Sequence, residues 1–315
     1  MEKALNLEFP TPSVISPYAT HIQEHTTEWA KKFHLINDDK VTFFNKAKFG
    51  YYAAREYPEA SYVDLCIVGD LIAWLFTVDD QCDRASSNAV AAAILKEMLN
   101  GFIGIIRKGG ITFTSTRHQV LNESLHDIMI RFKKVSTPYL YEQFADYMVM
   151  YFEECLWETD MQLNGHEPSI REYLEQRPKT GFYIMFPIIS MFNGVQLPAE
   201  IYGHPILKEI ELLLNLTANL ANDLHSLERE KALKTKGLNL VFIYERELDI
   251  SLDDAIRAIR REYDRNLVKM DNLRKRFPFW GVELNRQLEE YIDGLYVVIK
   301  AYFDWAIIDT SRYQS

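Results

Sequence analysis

Cysteine is scarce, with Cys66, Cys82 and Cys155 making up the whole complement of three. An odd number without metal-type pairing gives neither a disulfide framework nor a zinc cage, and it suits a reducing cytosol in which buried thiols act as small apolar residues. Basic charge is short as well. With 35 Lys and Arg against 45 Asp and Glu the net charge is −10, so the electrostatic footprint that phosphate-backbone binding needs is missing and nucleic acid is excluded as a partner. The first ten residues hold neither a basic head nor a sustained apolar run of signal-peptide type. The longest apolar stretch, Leu65 to Val78, is interrupted by Asp70 and is too short to span a bilayer. A cytoplasmic protein without stable membrane insertion is therefore expected. No solenoid repeat and no Pro/Gly/Ser-rich or like-charged linker is visible, so residues 1–315 are expected to form one domain.

What is abundant is apolar and aromatic surface: 48% of residues are hydrophobic, with 18 Tyr and 18 Phe, enough for a helical core with side chains left to line a pocket. Ser16-Pro17 is a plausible cap and first residue for a helix running to about Phe33. Helical patterns then follow at Val41 to Tyr57, Ala60 to Asp83, Ala89 to Ile106, Ser115 to Lys134, Leu140 to Leu163, Leu207 to Lys231, Leu252 to Arg276 and Leu284 to Thr310. Strand-type alternation is rare, and the one tempting piece, Gly110 to Thr114, is short and sits in a Gly-bounded turn. The predicted class is all-α, with helices of ~30 to 40 Å that can surround a deep cavity.

Two polar clusters interrupt this pattern. In Asp79-Asp80-Gln81-Cys82-Asp83, Asp79 and Asp83 fall on one helix face four residues apart, and Asp80 lies to the side. Carboxylates at a helix C-terminal end are disfavoured by the dipole and by each other, and a bound cation would offset both effects. Hard carboxylate oxygens suit Mg²⁺ completed by waters and substrate phosphates. A solvated acidic helix end would show the same pattern. In the second cluster, Asn222, Ser226 and Glu230 recur at intervals of four and can present an amide oxygen, a hydroxyl and a carboxylate to one cation. Lys231 follows, a charge fit to meet phosphate, although an exposed charged helix end is again an open alternative. A third segment, Arg177-Pro178-Lys179-Thr180-Gly181, should break its helix, because Pro178 disfavours helical geometry at Arg177 and Gly181 tolerates unusual torsions. Backbone carbonyls left unpaired there could face a cavity and stabilise positive charge, and an ordinary helix-helix turn would read the same way.

Taken together these residues resemble a class I terpene synthase of the bacterial or microbial single-domain type. Asn222-Asp223-x-x-Ser226-x-x-x-Glu230 matches that family's second metal motif at every defined position, and the resemblance covers nearly the whole chain. It implies three Mg²⁺ ions held between the Asp79/Asp83 motif and Asn222, Ser226 and Glu230. It further implies Arg177 as diphosphate sensor, Thr180 as linker and Gly181 as effector. Lys231 and the C-terminal pair Arg312-Tyr313 would meet the diphosphate. Relatives often carry an acidic residue where this chain has Arg84, so the direct ligand is expected to be Asp79, with Asp83 the partner of an Arg. Phe76 is expected on the cavity wall with Trp305 packed against it, while Trp74 could turn to a neighbour and Phe152, Tyr183 and Phe186 read as core.

The function so implied is Mg²⁺-assisted ionisation of a linear prenyl diphosphate and cyclisation of the resulting cation. Farnesyl diphosphate, leading to a sesquiterpene, is favoured over geranylgeranyl diphosphate, and a homodimer is compatible with this reading. A prenyl-chain elongating transferase of the same fold would show a second aspartate-rich motif in place of Asn222, Ser226 and Glu230. A protonation-initiated cyclase would need D-x-D-D, and Ser251-Leu252-Asp253-Asp254 has Ser at the first position. A non-catalytic helical binding protein would have lost a ligand or Arg177.

Overall fold

The computed structural model describes residues 7–85, 88–111, 118–233 and 238–312, except for the side chains of residues 83–85, 229, 232 and 233. All regular structure among the described residues is helical. The helices are α1 (Ala19–Lys32), α2 (Val41–Ala47), α3 (Phe49–Glu56), α4 (Tyr62–Ala85), α5 (Ala89–Lys108), α6 (Gln119–Val135) and α7 (Pro138–Leu163). They continue with α8 (Ile170–Gln176), α9 (Phe186–Asn193), α10 (Ala199–Tyr202), α11 (Pro205–Leu233), α12 (Leu240–Leu248), α13 (Leu252–Arg274) and α14 (Val282–Asp304). The expected spans recur to within a few residues, with one division: the run from Val41 to Tyr57 is two helices, because Lys48 adopts the left-handed conformation at φ 58°. Most of the tempting piece from Gly110 to Thr114 lies outside the described residues.

Local chemistry sets the helix starts. Asn88 accepts from the Val90 amide, Thr137 caps α7 ahead of Pro138, and Ser169 and Glu172 form a reciprocal capping box on α8. Ser251 is also a cap, its hydroxyl accepting from the Asp254 amide and donating to the Asp254 carboxylate. The residues that come nearest to a D-x-D-D motif thus begin α13.

Packing of these helices produces one connected apolar cluster running from Leu7 to Ala306. Within it α4 lies against α1, α3 and α6, α5 against α7, and α11 against α13 and α14. Asp70, the charge that interrupts the apolar run of α4, is fully buried and meets Arg131 of α6 at 2.8 Å and His25 of α1 at 3.1 Å. A buried carboxylate is tolerable only with such partners. By length and composition α5 could cross a membrane, but one face is buried in the core, where Phe102 packs on Trp74 and Phe152. Trp74 accordingly turns to α5 and α7, donating its indole N–H to the Leu121 carbonyl.

The last helix positions the tail. After Asp304 the chain makes a π-type turn, Trp305–Asp309. Arg55 grips Asp309 with two nitrogens, at 2.5 and 3.1 Å, and the Ser311 amide donates to the Lys46 carbonyl. A π-turn changes the direction of the chain relative to an α-helix, and here it brings Arg312 back over the C-terminal end of α4.

Candidate active site

The C-terminal ends of α4, α11 and α14 and the break after α8 converge on one cavity of about 270 Å³. From α4, Ile72, Leu75 and Phe76 give an apolar wall, and Asp79, one helical turn beyond Phe76, joins the same lining. The Phe76 ring lies 5.2 Å from Phe49 and 5.2 Å from Trp305. Trp305 itself is fully buried behind this wall, its indole N–H donating to the Ala47 carbonyl at 2.8 Å. It backs Phe76 rather than lining the cavity.

The carboxylate that meets an arginine is Asp80. Arg312 reaches it with both terminal nitrogens, at 2.7 and 3.4 Å, and its guanidinium sits 4.8 Å above the Phe76 ring. The side chain of Asp83, for which this partnership was expected, lies outside the described residues, as does Tyr313. Asp80 was passed over because helix geometry turns it away from Asp79, and its partner arrives from the far end of the chain.

On α11, Asn222, Ser226 and Glu230 all face the cavity, as their four-residue spacing predicts. Asn222 accepts through Oδ1 from Arg177 at 2.9 Å and donates through Nδ2 to the Tyr302 hydroxyl at 3.0 Å. Ser226 Oγ is buried with no hydrogen-bond partner among the described residues. Glu230 accepts from the Asn239 amide at 2.9 Å. Lys231 pairs with Glu228 at 3.1 Å and is not part of the cavity lining.

Beneath this row runs a buried support. Asp223 accepts from the Tyr173 hydroxyl and from the Leu240 amide, each at 2.8 Å, and lies 3.5 Å from Arg177. Burial pushes the Asp223 carboxyl up to about 7 against the pull of Arg177. For Arg177, burial works against the charge, and Asp223, Tyr173, Glu158 and Glu230 outweigh it. The guanidinium therefore stays charged in a pocket whose acceptors hold it in place. Next to Asn222, burial lowers His225 to about 4, so the ring is neutral.

The helix does break at Arg177. A 3-10 turn spans Arg177–Thr180, with the Thr180 hydroxyl accepting from Arg177 at 3.2 Å. The carbonyls freed at the break are not left unpaired as expected: Asn215 donates to the Pro178 carbonyl at 2.8 Å and Asn219 to that of Arg177 at 3.4 Å. Gly181 ends this turn at φ −92° and ψ −135°, and a second constraint acts on it. That constraint is space. A Cβ at that position would stand 2.0 Å from Asn215 Oδ1 and 2.6 Å from Asn219 Nδ2.

No three His, Cys, Asp or Glu side chains converge as a ready-made metal cage among the described residues. The donors present are Asp79 on one side and an amide, a hydroxyl and a carboxylate on the other. Such an incomplete set of hard oxygens, one of them an orphaned buried hydroxyl, fits a Mg²⁺-like cation that keeps waters and takes the rest of its shell from phosphate. Glu158, Tyr302, Asn219 and the supports Asp223, Tyr173 and Asn239 were not singled out from sequence. Asp223 alone carried a local signal, as a member of the second motif.

Comparison with known proteins follows the same lines. The family described as terpene synthase family 2, C-terminal metal binding, matches residues 70–268, a span that includes Asp79, Arg177 and the whole Asn222 to Glu230 row. The germacrene A synthase of Nostoc punctiforme is 26% identical over 308 residues, covering 97% of this chain and 94% of its own length. The (+)-T-muurolol synthase ((2E,6E)-farnesyl diphosphate cyclizing) of Roseiflexus castenholzii is 28% identical over 306 residues, covering 96% of this chain and 92% of its own. Among solved structures, that of a-eudesmol synthase superposes with a TM-score of 0.84 at 20% identity, over 96% of this chain and 98% of that one, and shares the fold.

Proposed function

The chain belongs to terpene synthase family 2, and from that premise we propose that it ionises farnesyl diphosphate and cyclises the C15 cation to a sesquiterpene, releasing diphosphate. The observation that carries this reading is one cavity whose lining brings together Asp79, Asn222, Ser226 and Glu230, the guanidinium groups of Arg177 and Arg312, and the apolar side chains Ile72, Leu75 and Phe76. Divalent metal binding comes with the family. We assign the ions as three Mg²⁺, with Asp79, Asn222, Ser226 and Glu230 as the protein ligands; when bound they would neutralise charge on the leaving diphosphate.

The residues of the chain supply the rest. Arg177 and Arg312 donate to the diphosphate, with Tyr313 as a further donor, and electrostatic stabilisation of a leaving group is worth most where water is absent. Thr180 and Gly181 set the turn that carries Arg177. The Phe76 face stabilises the allylic cation by about 1 to 2 kcal/mol when desolvated and offers it no nucleophile. Similarity over nearly the whole chain to the (+)-T-muurolol synthase ((2E,6E)-farnesyl diphosphate cyclizing) supports a fifteen-carbon chain over a twenty-carbon one. Free cysteines support a cytoplasmic setting, and we read residues 1–315 as one catalytic domain.

The test is a competition: the protein, Mg²⁺ and equal farnesyl and geranylgeranyl diphosphates, read by headspace gas chromatography and mass spectrometry. Cyclic C15 hydrocarbons or alcohols are expected to dominate. Cyclic C20 products would overturn the substrate assignment. Elongated diphosphates on adding isopentenyl diphosphate, or no product from either substrate, would overturn the reaction.

A further inference from the structure

A side-chain amide has two ends of nearly the same size, and only its oxygen can serve a hard cation. Which end of Asn222 faces the cavity therefore has to be set by its hydrogen-bond partners. Two of them are in place. Arg177 is a pure donor and requires the oxygen, at 2.9 Å. Tyr302, on α14, takes the other end: its hydroxyl lies 3.0 Å from Asn222 Nδ2 and 3.3 Å from His225 Nδ1. A hydroxyl has one hydrogen. If it is given to the imidazole nitrogen, the oxygen is left to accept from the amide, and the chain Asn222 to Tyr302 to His225 has a direction. The Tyr302 ring is buried and braced edge-on by Phe182 at 5.3 Å, so its hydroxyl cannot wander.

The two partners are not equivalent once substrate binds. An arginine that turns to donate to diphosphate loosens its hold on the amide oxygen, while the bond from the amide nitrogen to Tyr302 stays in place. We propose that Tyr302, oriented by His225, is a positioning residue that keeps the Asn222 amide oxygen turned into the cavity and thereby sets the affinity of the site for its divalent cation. This rests on the assignment of Asn222 as a metal ligand.

The experiment measures metal binding directly, on the full chain, by the loss of the free Mn²⁺ electron paramagnetic resonance signal and by calorimetry with Mg²⁺, both with inorganic diphosphate present. Tyr302→Phe keeps the ring and removes one oxygen. It should weaken cation binding about 10-fold, the usual scale for losing an outer-shell partner of a metal ligand, with the parental circular dichroism spectrum. Asn222→Asp supplies the discriminating background, because a carboxylate has two like oxygens and no end to choose. Adding Tyr302→Phe to Asn222→Asp should change cation affinity less than about 2-fold. Unchanged affinity in Tyr302→Phe alone, or the same loss in both backgrounds, would overturn the inference. Asn222→Ala separates this from the ligand assignment: if that variant also binds cation as the parent does, the assignment of Asn222 has failed, whereas a large loss there with none in Tyr302→Phe refutes the positioning role alone.

Discussion

Gly181→Ala puts one methyl group where the structure has no room, and its effect can be worked through. The added carbon would lie 2.0 Å from Asn215 Oδ1, against an ordinary contact well over 3 Å, so the Asn215 side chain must leave. Asn215 is fully buried. Its amide donates to the Pro178 carbonyl at 2.8 Å, and its oxygen accepts from the Phe182 amide at 2.9 Å and from Asn219 at 3.1 Å. Displacing it strands two backbone groups at about 1 to 3 kcal/mol each, or roughly 2 to 4 kcal/mol after the turn relaxes toward the cavity. With an unfolding entropy near 2.1 cal/mol/K per residue, a chain of 315 residues shifts its midpoint by about 1.5 °C per kcal/mol, so a fall of ~3 to 6 °C is expected. Turnover should fall more than about 10-fold, because the same turn carries the Arg177 guanidinium and a misplacement of 1 Å is felt on that scale. The control is Asn215→Ala, which removes the obstacle together with its hydrogen bonds. Combined with Gly181→Ala it should cost less than the two single losses added together, the remainder coming from Asn219 Nδ2 at 2.6 Å. Differential scanning calorimetry and product assays read both quantities. A Gly181→Ala protein with the parental midpoint and turnover, or losses that simply add in the double variant, would refute the spatial argument.

Three further outcomes are expected. Phe76→Ala should shift products toward linear or early-quenched species, since it deletes the ring that faces the cavity and braces Arg312; an unchanged product profile by gas chromatography would place Phe76 outside the reaction. Arg312→Ala should lower turnover by roughly 100-fold with a thermal midpoint within about 2 °C of the parent, and Arg312→Lys should recover only part, because an ammonium lacks the planar fork that spans Asp80; full activity in either would remove Arg312 from the site. His25, raised to about 10 chiefly by its hydrogen bond to Asp70 and then by Cys66, is protonated in the fold at pH values where the unfolded chain, near 6.5, has lost the proton. Its contribution is complete below about pH 6.5 and disappears as pH rises through about 10, and with the ring about one-third exposed it amounts to no more than about 1 kcal/mol. Urea midpoints of the parent and His25→Gln should therefore converge between pH 6 and 10, and a constant gap would show that the pair contributes no charge interaction.

The helical architecture was legible because periodicity and caps are local. The four-residue rhythm of Asn222, Ser226 and Glu230 lies within two or three turns of one helix and appears in the structure where the pattern puts it, whereas the cap read at Ser16-Pro17 falls short of α1, which starts at Ala19 behind Tyr18 with no side-chain cap bond. The division at Lys48 escaped because nothing in a lysine announces a left-handed backbone; α3 is instead drawn against α1 by Gly50, where a Cβ would lie 2.3 Å from the Gln23 backbone nitrogen. The short helices α8, α9, α10 and α12 were missed for want of length, since a few residues do not establish a period.

The site divides along the same line. Residues assigned to the cation repeat along one helix and so leave a motif, whereas the bonds around them span sequence separations of 45, 80 and 232 residues, as between Arg177 and Asn222, Asn222 and Tyr302, and Arg312 and Asp80. No window along the chain contains both partners of such a bond. The same distance explains what the motif left unread at two of its own members. The arginine that meets Asp80 arrives with the last turn of the chain, and the crowding at Gly181 comes from two asparagines that belong to α11. In each case the residue type is dictated by what another helix brings to it. A donor set of one amide, one hydroxyl and scattered carboxylates has little intrinsic affinity for a cation, so the precision of the site has to come from these long-range bonds. Substitutions at Tyr302 and Asn215, which belong to no motif, should therefore disturb the chemistry as surely as substitutions in the Asn222 to Glu230 row.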